Sequence, residues 1–152
     1  MNAHVLDHCA DHLRARVGER EAFEAKYGAL AGTFLAELWP LFLLYRRLPF
    51  DFDLPVATRH LAGTAALYIA EHQDFVDDSA DAGVGLIDDV YVAFAVLRPI
   101  VSGAKGVDLN RHWRGDTTLE DVLGLAHNLN ALVEATPSKV VQNADKLLGI
   151  DK

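Results

Sequence analysis

FEAKYGALAGTFLAELWPLFLLY, from Phe23 to Tyr45, is the stretch that decides the fold. Its residues Phe23, Tyr27, Leu30, Phe34, Leu38, Leu41 and Tyr45 recur at steps of three and four. That spacing lines one face of an α-helix and is incompatible with the two-residue period of a strand. Gly28 and Gly32 each weaken such a helix by up to ~1 kcal/mol relative to alanine, but they also let a neighbouring helix approach closely. Pro40 predicts a kink or break after Trp39. Leu30 to Tyr45 is the oiliest run of the chain, yet Glu37 and Pro40 interrupt it. A membrane-spanning helix needs ~20 mostly apolar residues, so the run reads as a buried helix.

Working outward, the same periodicity recurs. Val5, Cys9, Leu13 and Val17 form a stripe at the N-terminal side. Leu48 to Pro55 is a rigid connector with two prolines, and Asp53 is placed to cap the following helix, which carries Leu61, Ala65 and Tyr68 and should end near His72. Leu86, Val90, Phe94, Leu97 and Val101 mark a further helix. Val92, Ala93, Ala95 and Val96 lie between them, so that helix should be buried nearly all round. Thr117 and Glu120 make a capping box for a helix through Leu119, Val122, Ala126, Leu129 and Val133. Thr136-Pro137 opens a last one. The expectation is an all-α, single-domain irregular bundle of about five to six helices spanning residues 1–152, with no sheet.

Composition narrows the class of protein. The 152 residues are 51% hydrophobic and 24% charged, which suits one folded domain. Fourteen basic against twenty-two acidic residues give a formal charge of −8, which disfavours nucleic acid and anionic lipid as partners. The single cysteine, Cys9, excludes an internal disulfide. Met1 to Asp7 has neither a basic nor an apolar leader-like run, so a cytoplasmic location is expected.

The segment His60 to Leu97 carries a recognisable arrangement: an apolar helix ending Ala66-Leu67-Tyr68-Ile69, an acidic turn from Glu71 to Asp78, then Gly85-Leu86-Ile87-Asp88-Asp89-Val90. This resembles the YkvA-like family, a bacterial domain of unknown function, with residues 58–101 as its helix–turn–helix core. Asp74, Asp78, Asp88 and Asp89 fall where that family keeps aspartates. His72, Asp77 and Asp81 stand where it has prolines, so the turn here loses fixed φ values and gains negative charge. The resemblance implies little about function, since the family has no established activity.

Six carboxylates, Asp74, Asp77, Asp78, Asp81, Asp88 and Asp89, lie within sixteen positions. Converging oxygens of this kind suit Mg²⁺ or Ca²⁺. Counting from Asp77 gives a degenerate calcium-loop pattern, with Ala82 where a glycine belongs. The plainer reading makes Asp88 and Asp89 first-turn carboxylates favoured by the helix dipole. His4, His8 and Asp11 share one helical face and form an alternative site for a borderline metal such as Zn²⁺. Cys9 falls on an apolar stripe and reads as an inert thiol. Trp39, Phe42, Phe50 and Phe52 surround Arg46-Arg47 and read as an interface, with a lipid surface as the second possibility. Arg111-His112-Trp113-Arg114 can meet an anion, or pin its loop through the tryptophan.

No phosphate-binding glycine loop or nucleophile elbow is present. The expected function is therefore that of a non-catalytic helical interaction protein with a protein partner or a second copy. The alternatives are a metal-binding protein or metal-dependent enzyme built on residues 74–89, and a peripheral membrane protein.

Overall fold

The computed structural model describes residues 20–70 and 87–135, and Ser138, Val141, Gln142, Asp145, Lys146 and Gly149 beyond them. The stripe from Val5 to Val17, His4, His8, Asp11, Asp74, Asp77, Asp78 and Asp81 lie outside the described residues, as does much of the segment after Thr136. The described residues are all-α, without a strand.

The helices are α1 (Arg20–Tyr27), α2 (Ala29–Ala36), α3 (Leu38–Arg47), α4 (Val56–Ala70), α5 (Ile87–Ala95), α6 (Leu97–Gly103), α7 (Leu119–Ala126) and α8 (Leu129–Ala135). Short 3₁₀ segments occupy Leu48–Phe50 and Leu109–His112. Helices α3, α4 and α5 pack on one another at the centre, α4 also meets α6, and α8 packs on α2 and α5.

Backbone chemistry fixes the breaks. Gly28 has φ +97°, a conformation costly for any residue with a Cβ, and it separates α1 from α2. The chain folds back there, so that a Cβ on Gly32 would lie 2.1 Å from the Glu24 side chain. Pro40 acts one turn earlier than the expected break after Trp39. A proline ring collides with the carbonyl four residues before it, here that of Ala36, and α2 ends at Ala36. Glu37 bridges the gap by donating to the Phe34 carbonyl at 3.1 Å. Pro40 itself sits in the first turn of α3, where its missing N–H costs nothing.

Pro99 repeats the device. Its ring faces the carbonyl of Ala95, α5 ends at Ala95, and α6 restarts at Leu97. The single helix expected from Leu86 to Val101 is therefore two, broken at Val96. All residues from Ile87 to Phe94 are buried, as the apolar pattern requires.

The two breaks face one another across the core. Phe34 meets Phe94 edge to face with centroids 4.6 Å apart, an arrangement that adds ~0.5–1.5 kcal/mol beyond burial. Tyr45, fully buried on α3, donates its hydroxyl to the Ala93 carbonyl. Carbonyls in the last turn of a helix lack the usual intrahelical donor, and this phenol supplies one. Burial pushes the Tyr45 hydroxyl well above its ordinary pKa, which keeps it a donor. Tyr91 on α5 donates to Asp145 Oδ1 at 2.5 Å, and burial followed by that carboxylate raises its pKa too.

Two caps depart from expectation. Thr118, not Thr117, caps α7, accepting from the Asp121 N–H at 3.2 Å. Thr117 is held outside the helix because Trp113 Nε1 donates to its carbonyl at 2.7 Å. Asp53 does not cap α4, which begins directly after Pro55.

Replacing Tyr45 by phenylalanine leaves the Ala93 carbonyl buried without this donor. The expected loss is ~1–3 kcal/mol of unfolding free energy, read from urea denaturation with circular dichroism. An unchanged midpoint would show that the carbonyl finds another donor.

Candidate functional site

The 3₁₀ segment Leu48–Phe50 and the turn after it carry the sequence Leu48-Pro49-Phe50-Asp51-Phe52-Asp53-Leu54. Pro49 occupies the first turn of the 3₁₀ segment, and the Asp51 N–H closes that segment on the Leu48 carbonyl at 3.1 Å. Asp51 Oδ1 then accepts from the Asp53 N–H at 3.1 Å, an aspartate turn that fixes the next two residues. The segment Leu109–His112 is capped at its start by a similar aspartate contact, with Asp108 Oδ1 accepting from the Asn110 N–H at 3.0 Å.

These two turns, about sixty residues apart, are joined through one carboxylate. The Asp51 side chain is only 6% exposed. Its Oδ2 accepts from Arg111 Nη2 at 2.5 Å and faces His112 Nε2 at 2.6 Å. An ionised carboxylate can only accept, so this contact needs a proton on His112 Nε2, the atom that also lies 3.4 Å from Arg111 Nε. Arg111 Nη2 also reaches Asp53 Oδ2 at 3.2 Å, and Arg47 Nη1 donates to the His112 carbonyl at 3.3 Å. The hydrogen bonds from Arg111 and then His112 hold the Asp51 carboxyl down to about 2.

Around this node opens a cleft of about 700 Å³, lined by Arg46, Arg47, Phe50, Asp51, Phe52, Asp53, Arg111 and His112. The turn inverts the usual pattern: its carboxylate points in and its aromatics point out. Phe50 is 50% and Phe52 78% exposed, and Val56 at the start of α4 is 70% exposed. The Arg59 guanidinium sits 5.0 Å from the Phe52 ring centroid, while its Nε donates to the Leu54 carbonyl at 3.2 Å. This contact orients Phe52 without covering it. Phe50 also borders an adjoining cleft of about 410 Å³ that runs along α4 from Val56 to Leu67.

The four aromatics expected to form an interface are thus divided. Phe42 is fully buried and Trp39, half-buried, stacks on it at 5.9 Å, so both serve the core. Phe50 and Phe52 face outward because the 3₁₀ segment ends the helical phase that keeps Trp39 and Phe42 inside.

Asp88 and Asp89 stand in the first turn of α5, and both are fully buried rather than part of an exposed acidic surface. Asp88 accepts from the Tyr68 hydroxyl at 3.1 Å and from the Asp89 N–H at 3.0 Å. Among the described residues no group of three or more His, Cys, Asp or Glu side chains is placed to hold a metal ion. No described helix is long and apolar enough to cross a membrane.

Chemically, Asp51 orients His112 as a carboxylate orients a catalytic imidazole, but among the described residues no serine, threonine or cysteine lines the cleft. The described residues form an all-α bundle bearing an arginine-rimmed, aromatic-edged cleft. No protein-family model, curated protein or solved structure matches the chain.

The pKa of Asp51 carries a pH prediction. A carboxyl held at about 2 in the folded chain, against an ordinary 3.8, stabilises the fold above pH 4 and loses that contribution as pH falls from 4 towards 2. The stability difference between the wild type and Asp51→Asn should accordingly be constant from neutral pH down to ~5, then shrink in acid. A difference that grows on acidification would contradict the assignment.

Proposed function

We propose that the protein is a helical interaction protein that works by association and not by catalysis. The supporting observation is the exposed ridge of Phe50, Phe52 and Val56. Large apolar side chains left in water next to one another mark an interaction surface, particularly when polar groups rim them. Here the rim is Arg46, Arg47, Arg59 and Arg111. The ridge is also rigid, since Asp51, Arg111 and Arg59 fix the turn that carries it. A surface that is ordered before binding loses less entropy on association than a loose one.

The resemblance of residues 60–97 to the YkvA-like family, whose function is unknown, does not distinguish this reading from the others. The lipid-surface alternative rests on the same aromatics and arginines. It is the weaker reading, because Asp51 and Asp53 face the same cleft and would meet anionic headgroups. The divalent-metal alternative draws support from the buried Asp88–Tyr68 pair, yet the Tyr68 hydroxyl already takes one of the oxygens a cation would need.

Light scattering coupled to size-exclusion chromatography tests the proposal on the chain alone. The wild type should run as a dimer at micromolar concentration. Phe52→Ser combined with Val56→Ser should shift it to monomer, at a cost in folding stability of no more than ~1 kcal/mol because both side chains are exposed. A wild type that stays monomeric throughout removes the self-association form of the reading.

A further inference from the structure

The turn that follows α6 leaves a separate cavity, which shares no lining residue with the arginine cleft. Helix α6 runs as far as Gly103, where a Cβ would lie 2.3 Å from Thr58 Oγ1, so the small residue lets α6 approach α4. The chain then reverses. Gly106 adopts φ +82°, and the Val107 N–H closes the turn on the Ala104 carbonyl at 2.9 Å. Leu109 enters the core behind this turn, and Leu119 does so at the start of α7. An open cavity of about 190 Å³ remains, with Val101, Ala104, Val107, Leu109, Leu119 and Leu123 on its walls.

Its charged lining is of one sign. Asp108 and Glu120 border it, with the Asn110 amide beside them, and among the described residues no lysine, arginine or histidine lines it. Asp108 is held in place, since its Oδ1 accepts from the Asn110 N–H at 3.0 Å and from Asn110 Nδ2 at 3.1 Å. Both contacts use one oxygen and leave Oδ2 to the cavity side. Glu120 stands in the first turn of α7, but Thr118 makes the cap, so the Glu120 carboxylate is not consumed there. Neither carboxylate enters an ion pair among the described residues.

Walls and rim select an occupant from two directions. An apolar cavity of roughly 150 Å³ holds a six-carbon hydrocarbon, whereas drug-sized ligands need ~300–1,000 Å³. The body that fits is therefore a short chain or ring of about five or six carbons. A carboxylate rim favours a cation and repels an anion, and a net charge of −8 draws cations from a distance. We infer that the cavity binds a small primary alkylammonium ion, its hydrocarbon body against the leucines and valines and its ammonium group at Asp108 and Glu120. A primary ammonium carries three donors, enough to meet Asp108 Oδ2, Glu120 and water together. This site goes beyond association through the Phe50–Val56 ridge and does not depend on it.

Methyl NMR of the whole chain, titrated with n-pentylammonium, 1-pentanol, pentanoate and 1,5-diaminopentane, tests the inference. The methyls of Val101, Val107, Leu119 and Leu123 should shift with n-pentylammonium at millimolar concentration. The alcohol should need about fivefold more, and pentanoate should leave them unmoved. The diammonium ion should bind more weakly than n-pentylammonium, because its second charge has no place against apolar walls. Asp108→Asn with Glu120→Gln keeps the contact to Asn110 through the amide oxygen. That variant should weaken n-pentylammonium about fivefold, to the level of the alcohol, and leave 1-pentanol unchanged.

Should the variant fail to fold, the ligand series on the wild type decides alone. Alcohol and ammonium binding equally would show that the rim contributes nothing. Tighter binding of the diammonium ion would show that the carboxylates act without the cavity. Either result, or an absence of shifts at these four residues, overturns the inference, while the oligomeric state of the chain leaves it untouched.

Discussion

A proline cannot donate the hydrogen bond that a continuing helix requires, and its ring collides with the carbonyl four residues behind it. That constraint, applied at Pro40 and Pro99, shapes the rest of the bundle. It stops α2 at Ala36 and α5 at Ala95, and a new helix starts after one intervening residue in each case. Without the breaks, the two oiliest parts of the sequence would run on as long straight rods. With them, Phe34 packs against Phe94 and Tyr45 reaches the Ala93 carbonyl. The core is therefore assembled around two interruptions, and the buried Tyr45 hydroxyl repairs one of them.

The first interruption also sets the course of α3, and so delivers Arg46 and Arg47 to the edge of the cleft. There a second constraint takes over. A carboxylate as enclosed as that of Asp51 is tolerated only if donors replace the water it loses, and Arg111 and His112 are those donors. Removing either would leave a largely buried charge short of partners. The turn that carries Phe50 and Phe52 consequently has its shape fixed from the inside, by a contact between residues about sixty positions apart. The aromatics face outward for the same reason, since the inward position between them belongs to Asp51.

Helical periodicity made the fold class legible. The steps of three and four from Phe23 to Tyr45 describe residues that are in fact buried on successive turns, except that Tyr27 is half-buried and Leu30 is 42% exposed. The break at Val96 was equally available, because Pro99 is a proline within an apolar run just as Pro40 is. It is masked by the residues around it, all apolar, which satisfy a helical pattern whether or not the helix is continuous. Thr117 and Thr118 are chemically equal as caps. Only the hydrogen bond from Trp113, a tertiary contact, selects the second.

The cleft was the least legible part. Arg111 and His112 stand out in sequence as an anion-facing pair, and Phe50 and Phe52 as interface aromatics, but nothing local connects them. The residue that does connect them, Asp51, looks like one more polar residue in a connector. Its local signal is faint: an aspartate flanked on both sides by phenylalanine, between two prolines, in a turn too short to bury anything larger.

The average charge of the chain conceals its distribution. A formal −8 argues against anionic partners only if the charge is spread evenly, and it is not. Interactions between exposed charges fade over about 10 Å at ordinary ionic strength, so a partner at the cleft feels mainly the charges that line it, Arg46, Arg47 and Arg111 together with Asp51 and Asp53. The overall charge therefore governs solubility and long-range repulsion between copies, whereas the composition of the cleft governs what can dock there. An acidic protein with a basic cleft can attract an anionic segment at short range while repelling its own kind at long range. The balance between those two effects makes any self-association through this cleft sensitive to salt in a way that burial of Phe50 and Phe52 alone would not be.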